Sequence, residues 1–402
     1  MKTNFKRKIL KNGMTILFEK RNLPIVSVAF AVRNGGINES LEEKGISHFI
    51  EHMLYKGTLT RSAKKIAEEI ERNGGSMNGF TSETMTSYWC KMPSEKIKIA
   101  LGVLSDIVKN SVFDEKELSK ERQVIFEEIK MRKDIPQIFV FDKIQERLYS
   151  GILALPIIGT YETMNSIDRK KIIEKFKKVY QPSNLILCVV GNADFEFLVD
   201  FCEKNFNNLK GEVSVQKFEL RNEEKIEQRK GIDQANLVFA YHVPFGENKE
   251  KYSAKVLSAL SAEGMSSRLF SEIREKRNLA YAIKGGSEIT KYFGYNFIYV
   301  GAMKENVDKI KKIVLKEFEK ISESLSEKEL EEIKTQIVGQ WKIEMEDSQS
   351  QMVNLLDFEI DGDAENFYDF EKNILAVKLG DVKRLAKRAV EEYSFFALVP
   401  ED

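Results

Sequence analysis

Apolar and polar positions change period along the chain, and the change separates strands from helices. Met14–Glu19 and Val26–Val32 alternate or run apolar over strand-sized lengths, and Asn184–Val190 reads as a buried strand ending at Gly191-Asn192. Gly45–Lys56 and Ser62–Arg72 instead carry helical spacing. Pro93-Ser94 opens a predicted helix that runs to Asn110, with Ser94 as its cap. A long charged helix is predicted over Glu115–Lys133, interrupted before Pro136. Strands and helices are mixed throughout, which predicts an α+β fold.

The pattern also repeats. FDEKELSKERQVIFEEIKM (Phe113–Met131) resembles LSEKELEEIKTQIVGQWKIEM (Leu325–Met345), with the EKEL tetrapeptides 212 residues apart. An aromatic strand and then a helix precede each copy, and further upstream VSVAFAV (Val26–Val32) corresponds to ANLVFAY (Ala235–Tyr241). Three matches in one order predict two homologous domains, each a mostly antiparallel sheet packed against helices. The boundary is placed in the charged, weakly apolar stretch between Asn207 and Arg229, giving domains 1–212 and 213–402.

Composition narrows the function classes. With 63 basic and 63 acidic residues, the chain has no net charge to draw it to nucleic acid or to an anionic membrane. Hydrophobic residues at 42% and charged residues at 31% match a globular chain long enough for more than one core. No apolar run reaches the length of a membrane span, and MKTNFKRKILKNG holds no signal-peptide core. Cys90, Cys188 and Cys202 are odd in number, far apart and without CxxC spacing, so they read as buried reduced thiols. A cytoplasmic protein is the expectation.

Two of the three histidines fall in HFIEH, as His48 and His52 with Glu51 between them. Imidazoles at positions i and i+4 share a helix face, and neutral rings so placed can both reach a zinc ion at about 2.0–2.1 Å. Glu51 flanks that face, where it can serve the water instead of ligating the metal, the inverse of the HExxH arrangement. A catalytic zinc needs a third protein ligand, and the Glu115–Lys133 helix offers Glu121, Glu127 and Glu128. Glu121 and Glu128 lie two turns apart on one face while Glu127 points elsewhere; periodicity does not choose between them. Aligned on EKEL, Glu128 corresponds to Gln340 and Glu121 to Ile333, while His48 and His52 fall roughly at Ser267 and Ser271. The second copy has lost the whole set, so one zinc per chain is expected. A purely structural zinc would want four closed ligands, often cysteine, and the cysteines lie nowhere near the motif.

Nearly the whole chain resembles the pitrilysin/insulysin family of inverted-motif zinc peptidases, in its short processing-peptidase-like branch. The resemblance runs through Asn12-Gly13, Gly45–His48 to Lys56-Gly57-Thr58, Gly74-Gly75 with Asn78, ERQVIFEE (Glu121–Glu128), FKKVYQPSNLILCVVGN and SSRLFSEIREKRNLAY (Ser266–Tyr281). It implies that Glu128 is the third zinc ligand and that Glu121 orients a ligand histidine. It implies peptide substrates that add as a strand along Gly75–Ser82, with Asn78 holding the peptide backbone. In the second copy Arg274 and Tyr281 match the family's arginine–tyrosine pair, the arginine gripping substrate backbone and the tyrosine stabilising the oxyanion.

By this resemblance the chain is half of a clam-shell peptidase, a zinc metalloendopeptidase for short or unfolded peptides with Glu51 as general base. Its expected partner is a second copy, giving a homodimer with composite sites. The alternative is a noncatalytic peptide-binding or assembly subunit of the same fold, a class in which HxxEH is typically degraded. Two departures stand near the substrate-gripping elements: Asn278 replaces a small residue before Leu-Ala-Tyr, and Ala262-Glu263-Gly264 replaces a glycine-rich stretch. His242, in AYHVPF, matches no ligand position and reads as structural.

Overall fold

A computed structural model describes residues 4–401. Among these described residues, eleven named strands form two sheets. The first contains β1 (Phe5–Ile9), β2 (Thr15–Lys20), β3 (Ile25–Val32), β4 (Ser76–Thr81), β5 (Thr86–Pro93) and β6 (Leu185–Gly191), in the order β1-β2-β6-β3-β5-β4. The second contains β7 (Glu224–Arg229), β8 (Ala235–His242), β9 (Ala280–Ile289), β10 (Gly294–Ala302) and β11 (Ser394–Pro400), in the order β7-β11-β8-β10-β9. Only β2–β6 and β7–β11 pair in parallel. Without β1, the two sheets therefore have the same strand order and the same single parallel pair. The duplication read from EKEL is a duplication of topology.

Two compact units hold these sheets, and neither is continuous in sequence. The first comprises residues 1–130, 155–217 and 344–367; the second comprises 131–154, 218–343 and 368–402. A single cut at 212/213 does not describe them, because each half of the chain lends a helix to the other half's sheet. Pro136–Leu148 packs on β8 and β11, and its repeat counterpart Ser348–Asp361 packs on β3 and β6. In β3, Val26, Val28, Phe30 and Val32 join the main core of the first unit. The alternate residues are the smaller Ser27, Ala29 and Ala31, and Ser27 Oγ lies 2.9 Å from Ser348 Oγ on the donated helix. Alternation of large and small side chains thus gives one strand a deep face and a flat face, both buried.

A buried ion cluster fastens the donated helix. Glu359, 1% exposed, accepts from Arg7 Nε at 2.8 Å and Arg33 Nη2 at 2.7 Å, and also from the Ala364 backbone at 3.2 Å. Elsewhere the predicted helices form within a few residues of their expected limits, with one difference. Ser94 does not cap Ile97–Asn110; a 3₁₀ turn, Ser94–Lys96, comes first, and Lys96 holds the cap position without a side-chain bond. The three cysteines are free and buried, and burial pushes the Cys90 and Cys202 thiols up to about 12. Among the described residues no helix is long and apolar enough to cross a membrane.

Removing the carboxylate that two arginines share takes the buried acceptor from both, although Arg7 keeps Asp363 at 3.6 Å and Arg33 keeps Thr15 Oγ1 at 3.2 Å, and loosens the donated helix. Glu359→Ala is expected to destabilise the protein by about 3 kcal/mol, and Glu359→Gln by less. Denaturant titration checks this; an unchanged midpoint would show that the cluster does not fasten the helix.

Candidate metal centre

The helix Ile46–Leu54 buries Ile46, Phe49, Ile50, Met53 and Leu54, so its remaining face is fixed in direction. Gly45 occupies its N-cap with φ of 93°, and glycine supplies no capping side chain. Glu39 does that work from a distance in sequence. Fully buried, it accepts from Gly45 N at 2.9 Å through Oε2 and from Ser47 N at 2.7 Å through Oε1. Burial pushes the Glu39 carboxyl above its ordinary range, opposed by Lys44 and by the two backbone donors. Lys44, itself wholly buried, reaches Glu83 Oε2 at 3.2 Å on the β4–β5 turn.

The helix Glu115–Asp134 docks alongside. Arg122 lays its guanidinium over Phe49, 5.4 Å from the ring centroid, and donates to the Ile167 carbonyl at 2.8 Å. This contact brings Glu121 and Glu128 to the histidines and leaves Glu127 exposed. Glu128 Oε2 lies 3.5 Å from His48 Nε2 and 3.8 Å from His52 Nε2. Glu121 Oε2 lies 3.2 Å from His52 Nδ1, while its Oε1 pairs with Lys56 Nζ at 2.7 Å. A carboxylate on one ring nitrogen fixes the tautomer that turns the other nitrogen outward to a metal.

Among the described residues, His48, His52 and Glu128 are the one group of three such side chains whose ligand atoms lie within 4.8 Å of one another. Two imidazoles and a carboxylate are a donor set that suits a zinc ion, and three is the number of protein ligands a catalytic zinc uses. Glu51 Oε2 accepts from Thr81 Oγ1 at 2.6 Å. Burial pushes the Glu51 carboxyl above its ordinary range, and the Thr81 hydrogen bond and His52 pull it partly back.

The remaining sequence-derived residues are placed as follows. Asn78 is exposed on β4, the edge strand, with its Oδ1 accepting from Gly79 N at 2.8 Å. Arg274 and Tyr281 belong to the second unit. Arg274 is exposed in the wide, π-helical segment Phe270–Glu275, 4.9 Å over the Phe270 ring. Tyr281 is half exposed on β9, its ring lying against Gly301, where a Cβ would come within 2.3 Å of it. Asn278, between them, has φ of 50°, a left-handed conformation that asparagine adopts more readily than other side chains. His242 Nε2 donates to the Arg221 carbonyl, 2.9 Å away, and the ring packs edge-on to Tyr149.

One correspondence changes. By element order and by contacts to the two edge-side strands, the counterpart of Ile46–Leu54 is Lys251–Ala262, which touches β9 and β10 as the metal helix touches β4 and β5. The sequence correspondence to Ser267 and Ser271 falls beyond this helix, whereas the EKEL offset of 212 residues itself carries His48 to Leu260, within it. The true counterpart, KYSAKVLSALSA, likewise carries no histidine.

Thr81, Glu39 and Lys56 are site residues that sequence patterns did not single out. Thr81 alone had a signal: it shares the strand face of Gly79, two residues away, opposite Asn78. Glu39→Ala is expected to lower stability by about 2 kcal/mol, since two helix-end donors and Lys44 lose a buried carboxylate. Thermal unfolding of the variant checks this, and a midpoint equal to the unaltered chain's would remove Glu39 from the cap.

Comparison with known proteins agrees in sequence and in fold. Residues 15–161 match the family described as Insulinase (Peptidase family M16), and residues 166–337 match its Peptidase M16 inactive domain. An uncharacterized zinc protease of Rickettsia felis is 35% identical over 345 residues, spanning 84% of this chain and 83% of its own. An uncharacterized zinc protease of Bacillus subtilis is 33% identical over 402 residues, 98% of each chain. In fold, a protease from Helicobacter pylori superposes with a TM-score of 0.91 at 22% identity, covering 99% of this chain and 100% of that one. A putative M16-like peptidase from Alicyclobacillus acidocaldarius does so with 0.85 at 19% identity, covering 100% and 99%. With zinc proteases of matching length at a third identity and both halves of the family pattern in order, the chain belongs to the insulinase family of peptidases, M16.

Proposed function

We propose that this chain is a zinc-dependent metalloendopeptidase acting on short or unfolded peptides, with one zinc held by His48, His52 and Glu128. The observation that carries the reading is Glu51: a largely buried carboxylate beside an intact three-donor set, held by Thr81 and standing outside that set. The domain described as inactive spans residues 166–337, and all four of these side chains lie outside it. A zinc ion in such a set supplies Lewis acidity, polarising a carbonyl and lowering the pKa of a water toward about 7.

The rest of the work falls to the chain's own groups. Glu51 takes the proton from the attacking water and returns it to the leaving amine. Glu121 keeps His52 in the tautomer that presents Nε2. The free edge of β4 offers its backbone groups to an extended peptide, which favours unfolded segments over side-chain-specific recognition. The chain works in the cytoplasm as a homodimer, Arg274 and Tyr281 of one subunit serving the metal centre of the other, as the family resemblance implies. There Tyr281 faces the developing oxyanion and Arg274 the peptide backbone.

Metal analysis and cleavage of a quenched peptide library test the reaction. Wild type is expected to bind zinc and cleave, Glu51→Gln to keep its zinc and lose about 10²–10⁴ in rate, and Glu128→Gln to lose zinc. A zinc-loaded wild type as inert as Glu51→Gln on every peptide would sink the enzyme and leave the noncatalytic peptide-binding reading. For the dimer, mixing Glu51→Gln with Tyr281→Phe chains is expected to recover about half of wild-type activity in the mixed dimers, roughly one intact composite site of two in each. Mixed dimers without recovery would refute shared sites.

A further inference from the structure

The acceptor side of Glu51 is only half accounted for. Thr81 holds Oε2 at 2.6 Å, and nothing on β4 donates to Oε1. What faces Oε1 is shown by Gly79, which shares Thr81's side of the strand. A Cβ built at Gly79 would stand 2.6 Å from the Tyr55 hydroxyl oxygen, 3.1 Å from Glu51 Oε1 and 3.0 Å from the Ser87 carbonyl oxygen. The phenol and the second carboxylate oxygen thus lie on either side of one missing methyl group.

Tyr55 follows the metal helix at its C-cap, and its ring is held 5.9 Å from that of Tyr88. Its hydroxyl is buried and has no hydrogen-bond partner among the described residues. Leaving a buried hydroxyl unpaired is destabilising, and phenylalanine would fill the same apolar slot without that cost. Burial first, and then the charge of Glu51, hold the phenol well above its ordinary range, so the group stays a neutral O–H donor.

We infer that Tyr55 is a positioning residue for the general base: its hydroxyl, unpaired beside the same gap, closes onto Glu51 Oε1 and donates to it while Thr81 donates to Oε2. This inference rests on the peptidase reading of Glu51. A carboxylate offers about four lone pairs, so two such donors fix its plane and still leave each oxygen free to accept a proton. Gly79 is part of the device: a side chain there would displace the hydroxyl or the carboxylate.

The test is a set of variants assayed for kcat, KM, zinc content and thermal midpoint. Tyr55→Phe is expected to lower kcat about tenfold with KM and zinc content unchanged. In a Glu51→Gln background the same change is expected to do nothing further to the residual rate, because Tyr55 acts only through Glu51. Gly79→Ala is expected to lower kcat in the Tyr55 chain and to cost less in the Tyr55→Phe chain, where the clash with the hydroxyl is gone. A hydroxyl that serves only the Ser87 carbonyl predicts the opposite: a lowered thermal midpoint both in the wild-type background and in the Glu51→Gln background, with wild-type kcat in the former. That result, or equal rate losses in both backgrounds, overturns the inference while the peptidase stands. An inert wild type overturns the peptidase reading and this inference with it.

Discussion

Everything at the centre depends on holding one short helix rigid. Ile46–Leu54 has nine residues, fewer than an isolated helix needs to persist in water, yet it must carry two imidazoles and a carboxylate in fixed directions. Its apolar side is buried in the first unit's main core, which sets its rotation. Its N-terminus is closed by Glu39, because Gly45 provides the backbone turn but no cap. Arg122 over Phe49 then brings the second helix, and with it Glu121 and Glu128, to the open face. Removing any one of these constraints leaves the residue types in place and the geometry lost.

Much of this was legible in the chain and much was not, for a physical reason. The His48–His52 spacing is a property of one helix turn, so five residues of sequence contain it. Strand order follows from a repeated pattern, and the repeat was visible in EKEL and in VSVAFAV against ANLVFAY. The third ligand lay at the limit: periodicity put Glu121 and Glu128 on one face, and only the docking of two helices separates their roles. Glu39 was invisible because it acts across a loop on a helix end that only folding brings near, and Thr81 offered no more than its share of Gly79's strand face; Tyr55, four residues after Glu51, stands at helical spacing from it but in no pattern that sets it apart. The same holds for the exchanged helices. Pro136–Leu148 and Ser348–Asp361 look like ordinary members of their own halves, and nothing local says which sheet each will cover.

That exchange has a consequence for how the chain can be divided. Residues 1–212 alone would lack Ser348–Asp361, exposing the small-residue face of β3 and leaving Arg7 and Arg33 without Glu359. Residues 213–402 alone would lack Pro136–Leu148, which sets Phe139 edge-on to Phe396 and Phe141 edge-on to Phe297. A half-chain would bare apolar sheet surface, which is a recipe for aggregation rather than for an independent domain. The metal-bearing unit therefore needs sequence from both copies of the repeat even though only one copy supplies donors.

Why only one copy supplies them can be read from a single row of each sheet. In the first, Phe30 pairs with Tyr88 and Tyr88 with Gly79; in the second, Phe239 pairs with Ile298 and Ile298 with Gly285. Phe30 and Phe239 are matched positions of the repeat, so Gly79 and Gly285 occupy the same place, facing equivalent helices. At Gly285 the absent Cβ makes room for the helix itself: a methyl there would stand 2.7 Å from the Ala262 Cβ and 3.0 Å from its carbonyl carbon. The helix Lys251–Ala262 is built for that approach, with Ser253, Ala254, Ser258, Ala259, Ser261 and Ala262 all buried. Side chains of that size let backbone meet backbone, and an imidazole among them would have nowhere to go. At Gly79 the same absence is filled by the Tyr55 hydroxyl and the Glu51 carboxylate. One glycine position thus serves close packing in one copy and leaves room for polar chemistry in the other, and the choice is made by the size of the residues on the helix above it.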